Sequence, residues 1–157
     1  MSDEYISEIS AEQIIGHADD FIKTASNSHS AMEGVVGLLK ASVPYYDWVG
    51  IYLVVDKNTL RLGPFRGEPS PHEVISIEKG ICGAAAREKQ TIVVPDVISD
   101  PRFLACSLRT RSEIVVPIMR GDVVLGEIDI DSDTLNAFRE RDRLMLEEIA
   151  SRLSEII

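Results

Sequence analysis

Apolar residues recur along this chain in two rhythms, one of three and four and one of two, and the change between them separates helical ends from a strand-rich middle. Ser10-Ala11-Glu12-Gln13 has capping-box spacing, in which a hydroxyl accepts from the third amide and a glutamine reaches back. Behind it Ile14, Ile15, Ala18, Phe21, Ile22 and Ala25 recur at three and four, predicting a helix to about Ala25 with one apolar stripe. Ser30 to Ser42 predicts a second helix, with Met32, Val35, Val36, Leu38 and Leu39 apolar and Pro44 as its stop. At the far end Arg139 to Ile157 carries Leu144, Met145, Ile149, Leu153 and Ile156 on one face, a helix expected to pack against the first.

In the middle the rhythm shortens. Asp47 to Val55 is β-branched or aromatic and ends in the turn signal Asp56-Lys57-Asn58-Thr59, which leads to Leu60-Arg61-Leu62 and predicts a hairpin. Gly63 to Pro71 reads as loop, Val74 to Ile77 as a short strand, Ala84 to Lys89 as a short helix and Thr91 to Val94 as a strand. Pro95 to Leu104 reads as an irregular loop, and Glu113 to Met119 turns at Gly121-Asp122 into Val123 to Ile130, a second hairpin. Hairpins joined by short crossovers, with helices at both ends, predict an α+β fold around a mostly antiparallel sheet. No repeat or linker interrupts the chain, so one domain is expected over 1–157.

Composition narrows the partners. The length of 157 residues with 45% hydrophobic suits one domain at roughly 150 residues each. Sixteen Lys and Arg against twenty-six Asp and Glu give a formal net charge of −10, and no stretch concentrates positive charge, which excludes nucleic acid as a partner. Met1-Ser2-Asp3-Glu4 has no basic region, and the longest apolar run, Trp48 to Val55, falls far short of the ~18 residues that span a membrane. A cytoplasmic protein without membrane contact is expected.

The candidate chemistry lies in sulfur and carboxylates. The chain has two cysteines, Cys82 and Cys106, too few for a disulfide scaffold or a four-cysteine zinc site. Cys82 sits in Gly80-Ile81-Cys82-Gly83 immediately before the alanine-rich helix. There its sulfur either lies near the positive helix end, which favours thiolate, or packs as a small buried hydrophobe. Cys106 falls in a loop with Arg102, Arg109 and Arg111 nearby, and positive charge lowers a thiol pKa. Glu113, Asp129 and Asp131 lie on the paired strands, with Asp129 and Asp131 on one face. The alternation Glu127, Asp129, Asp131 against Ile128 and Ile130 fits a solvated face. It also fits crowded carboxylates, one pushed to keep a proton that it can donate to a substrate oxygen. Trp48 and Tyr52, four apart on one strand, either wall a small apolar pocket or fill the core. His17, His29 and His72 share no ligand spacing, so no metal is expected.

These segments together resemble a GAF domain of the free methionine-R-sulfoxide reductase family. The resemblance is carried by Asp47-Trp48-Val49-Gly50-Ile51-Tyr52-Leu53, Leu62-Gly63-Pro64-Phe65-Arg66-Gly67, Gly80-Ile81-Cys82-Gly83, and Ala105-Cys106 followed by Ser112-Glu113-Ile114-Val115-Val116-Pro117. Gly126-Glu127-Ile128-Asp129-Ile130-Asp131-Ser132 completes it. It implies a sheet with the terminal helices packed on one face and a ligand pocket on the other. It also implies reduction of free methionine sulfoxide with no bound cofactor, thioredoxin as reductant, and a homodimer. Residue by residue it makes Cys106 the attacking cysteine and Cys82 the resolving one, linked as a Cys82–Cys106 disulfide. Glu113, Asp129 and Asp131 would engage the sulfoxide, Trp48 would border the methyl group, and Tyr52 would join them in binding substrate. Where many members carry a further cysteine, this chain reads Pro71-His72-Glu73-Val74. A GAF module that holds a small ligand or senses redox state without turnover is the alternative.

Overall fold

The capping box forms in the computed structural model, which describes residues 9–104 and 107–157. Gln13 N donates to Ser10 Oγ at 3.1 Å, Ser10 N donates to Gln13 Oε1 at 2.9 Å, and helix α1 runs Ala11–Thr24 behind them. Helix α2 spans Ser28–Ser42 and starts two residues earlier than its apolar pattern, because Asn27 caps it by accepting from Ser30 N at 2.9 Å. Strands β1 (Trp48–Asp56) and β2 (Thr59–Arg66) make the first hairpin, and β5 (Ser112–Arg120) and β6 (Val123–Ser132) the second. Between them lie β3 (Val74–Ser76), helix α3 (Gly80–Glu88), β4 (Ile92–Val94) and a 3-10 turn at Val97–Ser99; helix α4 covers Glu140–Leu153. The sheet order is β3-β2-β1-β6-β5-β4 with every pair antiparallel. This is the expected α+β fold.

Three local readings are corrected. Gly63 to Arg66 is strand, not loop: Gly63 and Pro64 together oppose Ile51 between the pairs Gly50↔Phe65 and Tyr52↔Leu62, a bulge that accommodates a residue without an N–H. Helix α3 begins at Gly80, so Cys82 lies inside its first turn and not ahead of it. On α4 the buried stripe is Met145, Leu146, Ile149, Ala150 and Leu153, while Leu144, about 100° around the helix from Met145, is exposed.

The strands' period of two sorts the core into two layers. Val49, Ile51, Ile114, Val116, Ile118, Ile128 and Ile130 meet the apolar stripes of α1, α2 and α4. Arg152 of α4 pairs with Asp19 of α1 at 2.9 Å, so the terminal helices do pack together. The intervening residues Trp48, Tyr52 and Val115 face the other way, where α3 lies across the sheet with Ile81, Cys82, Ala84, Ala85 and Ala86 buried. Small residues let this helix come close: a Cβ on Gly83 would stand 2.6 Å from the Ile77 carbonyl oxygen. Among the described residues no helix is long and apolar enough to cross a membrane.

Asp142, buried in the first turn of α4, ties the helical layer to the entry of β1. Its Oδ1 accepts from the Tyr45 hydroxyl at 2.8 Å and the Tyr46 hydroxyl at 2.5 Å, and its Oδ2 from Arg139 N at 2.9 Å. Burial and the Asp142 carboxylate push the Tyr46 phenol well up. Asp142→Leu leaves these donors unmatched and is expected to lose about 3 kcal/mol in urea unfolding. A loss below about 1 kcal/mol would show that the tyrosines find other partners.

Candidate active site

Strand β6 lies in the middle of the sheet, and its outward positions are acids. The register sets them in rows: Trp48, Asp131 and Glu113 across the first, Gly50, Asp129 and Val115 across the second, Tyr52, Glu127 and Pro117 across the third. Glu113 is 4% exposed, Glu127 0%, Asp129 1% and Asp131 2%, so the solvated-face reading is overturned. The sheet is covered on both sides, and α3 puts Cys82 against the acids: its Sγ donates to Asp129 Oδ2 at 3.4 Å.

Crowding and burial act in the same direction on these groups. Burial, then the neighbouring Asp129 and Asp131, push Glu113 well above the usual carboxyl range; burial, then Asp129, do the same to Asp131 and Glu127. Asp129 is also raised by burial, but hydrogen bonds from Glu113 and Cys82 hold it back, which makes it the member that carries charge first. A carboxyl facing another carboxyl forms a hydrogen bond only by keeping its proton, so the cluster is a proton store.

Cys82 departs from the thiolate reading. Burial first, then Asp129, Glu127 and Glu113, push its thiol well up, and the helix end beside it does not offset three acids. It is a free, buried thiol. Cys106 lies outside the described residues, as does any role assigned to it. Of the arginines near it in sequence, Arg102 pairs with Asp100 at 2.7 Å and Arg109 with Glu68.

Trp48 and Tyr52 share the acid face, their ring centroids 6.5 Å apart, and Phe65 stacks on Trp48 at 5.8 Å. Trp48 Nε1 donates to the Glu68 carbonyl at 2.9 Å and the Tyr52 hydroxyl to the His72 carbonyl at 2.7 Å, which fixes both rings. Gly50 leaves room for the indole: a Cβ there would stand 2.3 Å from Trp48 Cη2. A cavity of about 210 Å³ opens over Trp48 and Asp131, rimmed by Asp47, Glu68, Arg109 and Asp133. A second of about 10 Å³ lies between Tyr52, Cys82, Glu113 and Asp129. Leu104 lines the small cavity and Ser107 the large one. Hollows of about 490 and 500 Å³ lie elsewhere, beside Lys89 and Arg143 and beside Tyr45 and Arg139, with no cysteine or buried carboxyl among their lining residues.

The structure thus joins Trp48, Tyr52, Cys82, Glu113, Asp129 and Asp131 on one face of the sheet. Sequence reasoning missed Glu127 as a buried member; the close-packing run Gly83-Ala84-Ala85-Ala86, which lets a helix lie on this face, was the available signal. Cys82 Sγ and one oxygen each of Glu113 and Asp129 lie within 4.8 Å of one another, a donor set of metal-ligand type among the described residues. A cation there would have to displace protons that burial retains, and the thiol proton is already committed to Asp129. The cluster is tied to α3 by the Cys82–Asp129 hydrogen bond, while both side-chain oxygens of Glu127 and of Asp131 lack a partner among the described residues.

The GAF domain family model matches residues 29–157. GAF domain-containing protein A of Dictyostelium discoideum is 35% identical over 90% of this chain and 89% of its own. Free methionine-R-sulfoxide reductase of Saccharomyces cerevisiae is 35% identical over 96% of this chain and 89% of its own. The structure of free methionine-R-sulfoxide reductase from Neisseria meningitidis in complex with its substrate superposes with a TM-score of 0.87 at 33% identity, covering 92% of this chain and 86% of that one. The fold is that of a GAF domain. Within that class the chain belongs to the free methionine-R-sulfoxide reductase family.

Proton retention has a cost that pH exposes. Glu113, Glu127 and Asp131 keep protons in the fold that the unfolded chain releases near pH 4. Their burden on stability is therefore absent below about pH 4 and grows as pH rises toward the folded pKa values, by about 1.4 kcal/mol per pH unit for each group. Asp131→Asn is expected to raise Tm at pH 8 more than at pH 5, as read by thermal unfolding across that range. An unchanged slope would remove Asp131 from the proton-holding set.

Proposed function

We propose that this chain, as one domain over 1–157, reduces free L-methionine-R-sulfoxide to methionine in the cytoplasm. The observation that carries this is the row of buried, proton-holding carboxyls Glu113, Asp129 and Asp131 beside both Cys82 and the Trp48–Tyr52 wall. The cavity of about 210 Å³ over Trp48 and Asp131 is on the scale of one free amino acid, and the relatives named for this activity support the same reading.

Trp48 and Tyr52 border the substrate's methyl group, and Glu113 donates its proton to the sulfoxide oxygen, which makes the sulfur electrophilic. The Cys106 thiolate attacks that sulfur; the hydroxyl passes from it to the Cys106 sulfur as the substrate's S–O bond and the transient S–S bond break, methionine leaves with a lone pair on sulfur, and Cys106 is left as sulfenic acid. Cys82 then attacks the Cys106 sulfur, releasing water and closing a Cys82–Cys106 disulfide, which thioredoxin reopens by thiol exchange. No bound cofactor takes part, and the working unit is a homodimer.

The test is consumption of free L-methionine-R-sulfoxide, with the S epimer alongside, using a thioredoxin system and then dithiothreitol. Turnover of the R epimer alone is expected; no turnover with either donor would leave a GAF module that binds a small ligand or senses redox state. Cys106→Ser is expected to abolish reduction, whereas Cys82→Ser should give one methionine per chain and no recycling by thioredoxin. Equal single-turnover yield in Cys106→Ser would overturn its assignment. Glu113→Gln should lose about 10²-fold or more in kcat, and unchanged kinetics would remove it from the acid role.

A further inference from the structure

Glu127 is the buried acid to which the proposed reaction gives no task. It is 0% exposed, and neither side-chain oxygen has a hydrogen-bond partner among the described residues, although it shares its face with Cys82 and Asp129. A carboxyl buried this way destabilises the fold, and a leucine would serve the packing between Tyr52 and Pro117 better. Two residues along the same face of β6, Asp129 holds the Cys82 sulfur at 3.4 Å, and that sulfur is the neighbour with which Glu127 shares an effect on proton affinity. That thiol has one proton, and Asp129 Oδ2 already accepts it at 3.4 Å. What remains for Glu127 to do at the sulfur is to donate its own.

We propose that Glu127 is a hydrogen-bond donor to Cys82 that stabilises the developing thiolate as its proton passes to Asp129 in the disulfide-forming step. The inference rests on the reductase reading above. In that step the S–O bond of the Cys106 sulfenic acid breaks and the Cys82–Cys106 bond forms. The sulfenic sulfur is reduced as the thiol is oxidised, the Cys82 proton goes to Asp129, and the departing hydroxide takes a proton from the acid cluster and leaves as water. Glu127 keeps its own proton throughout. Ionised, it would set a second negative charge beside the sulfur and oppose thiolate formation, so its protonated state is the working one. The titratable and charged groups around it are Cys82 from α3, Tyr52 from β1, whose hydroxyl donates to the His72 carbonyl, and Asp129 on its own strand; β5 offers Pro117 at the same level.

The experiment mixes reduced protein with one equivalent of free L-methionine-R-sulfoxide and no donor. Methionine release and disulfide formation are followed separately by quenched-flow mass analysis. Glu127→Leu is expected to leave methionine release within about twofold of the parent chain and slow disulfide formation about tenfold, the loss of one hydrogen bond to a charged group. Glu127→Gln, whose amide still donates, should restore the rate to within about threefold. The parent's disulfide step should also fall on the alkaline side as the acid cluster ionises, and the fall should be shallower in Glu127→Gln, whose amide donates at every pH; this comparison decides the matter even if Glu127→Leu does not fold. Disulfide formation at the parent rate in folded Glu127→Leu, or an alkaline fall in Glu127→Gln as steep as the parent's, would overturn the donor role while leaving the reductase intact. A parent chain that releases no methionine would overturn both.

Discussion

The structure depends on one strand carrying opposite chemistries on its two sides. In β6, Ile128 and Ile130 are fully buried against the helical layer, while Glu127, Asp129 and Asp131 are as deeply buried on the other. A strand with a period of two cannot slip by one residue without exchanging isoleucines for carboxyls, so the apolar layer enforces the register of the acid one. That register then aligns Trp48 with Asp131 and Glu113, and Gly50 with Asp129. The stability that α1, α2 and α4 supply by covering the isoleucines is what permits acids to be buried opposite them.

Burial makes these carboxyls useful because it withholds ionisation. In water four carboxyls would be four negative charges; packed under α3, they share protons, and Asp129, which accepts from Cys82, bears the charge most readily. The same proximity restrains the cysteine. Burial and the neighbouring acids push its thiol well up, so Cys82 is kept protonated.

Most of the fold was legible because its signals are local. The Ser10 capping box, the three-and-four spacing of Ile14, Ala18 and Ile22, and the Gly121-Asp122 turn each act within a few residues. The misread pieces depend on partners distant in sequence. Gly63-Pro64 has the composition of a loop and becomes strand only because Ile51 lies opposite its bulge. The acid face was ambiguous for the same reason: alternation says that Glu127, Asp129 and Asp131 share a side, but whether that side meets water depends on a helix more than thirty residues earlier in the chain. Cys82 stayed open between a thiolate-prone and a buried reading because the helix end is a local feature and the opposing carboxyls are not.

Small residues turn this burial into a directional site. Gly83 lets α3 approach the Ile77 backbone, the alanines that follow keep the helix low over the sheet, and Gly50 lets the indole of Trp48 lie across β1. The consequence is an asymmetry of space along β6: about 210 Å³ over Asp131 and Trp48, and about 10 Å³ beside Asp129 and Cys82. The wider space lies at the Asp131 end of the acid row, and the Asp129 end is closed around the Cys82 sulfur. Glu113, opposite Asp131 in the register and lining the small cavity with Asp129, joins the two ends. Spatial order along a single strand thus separates the larger cavity, over Asp131 and Trp48, from the place where Cys82 is kept protonated.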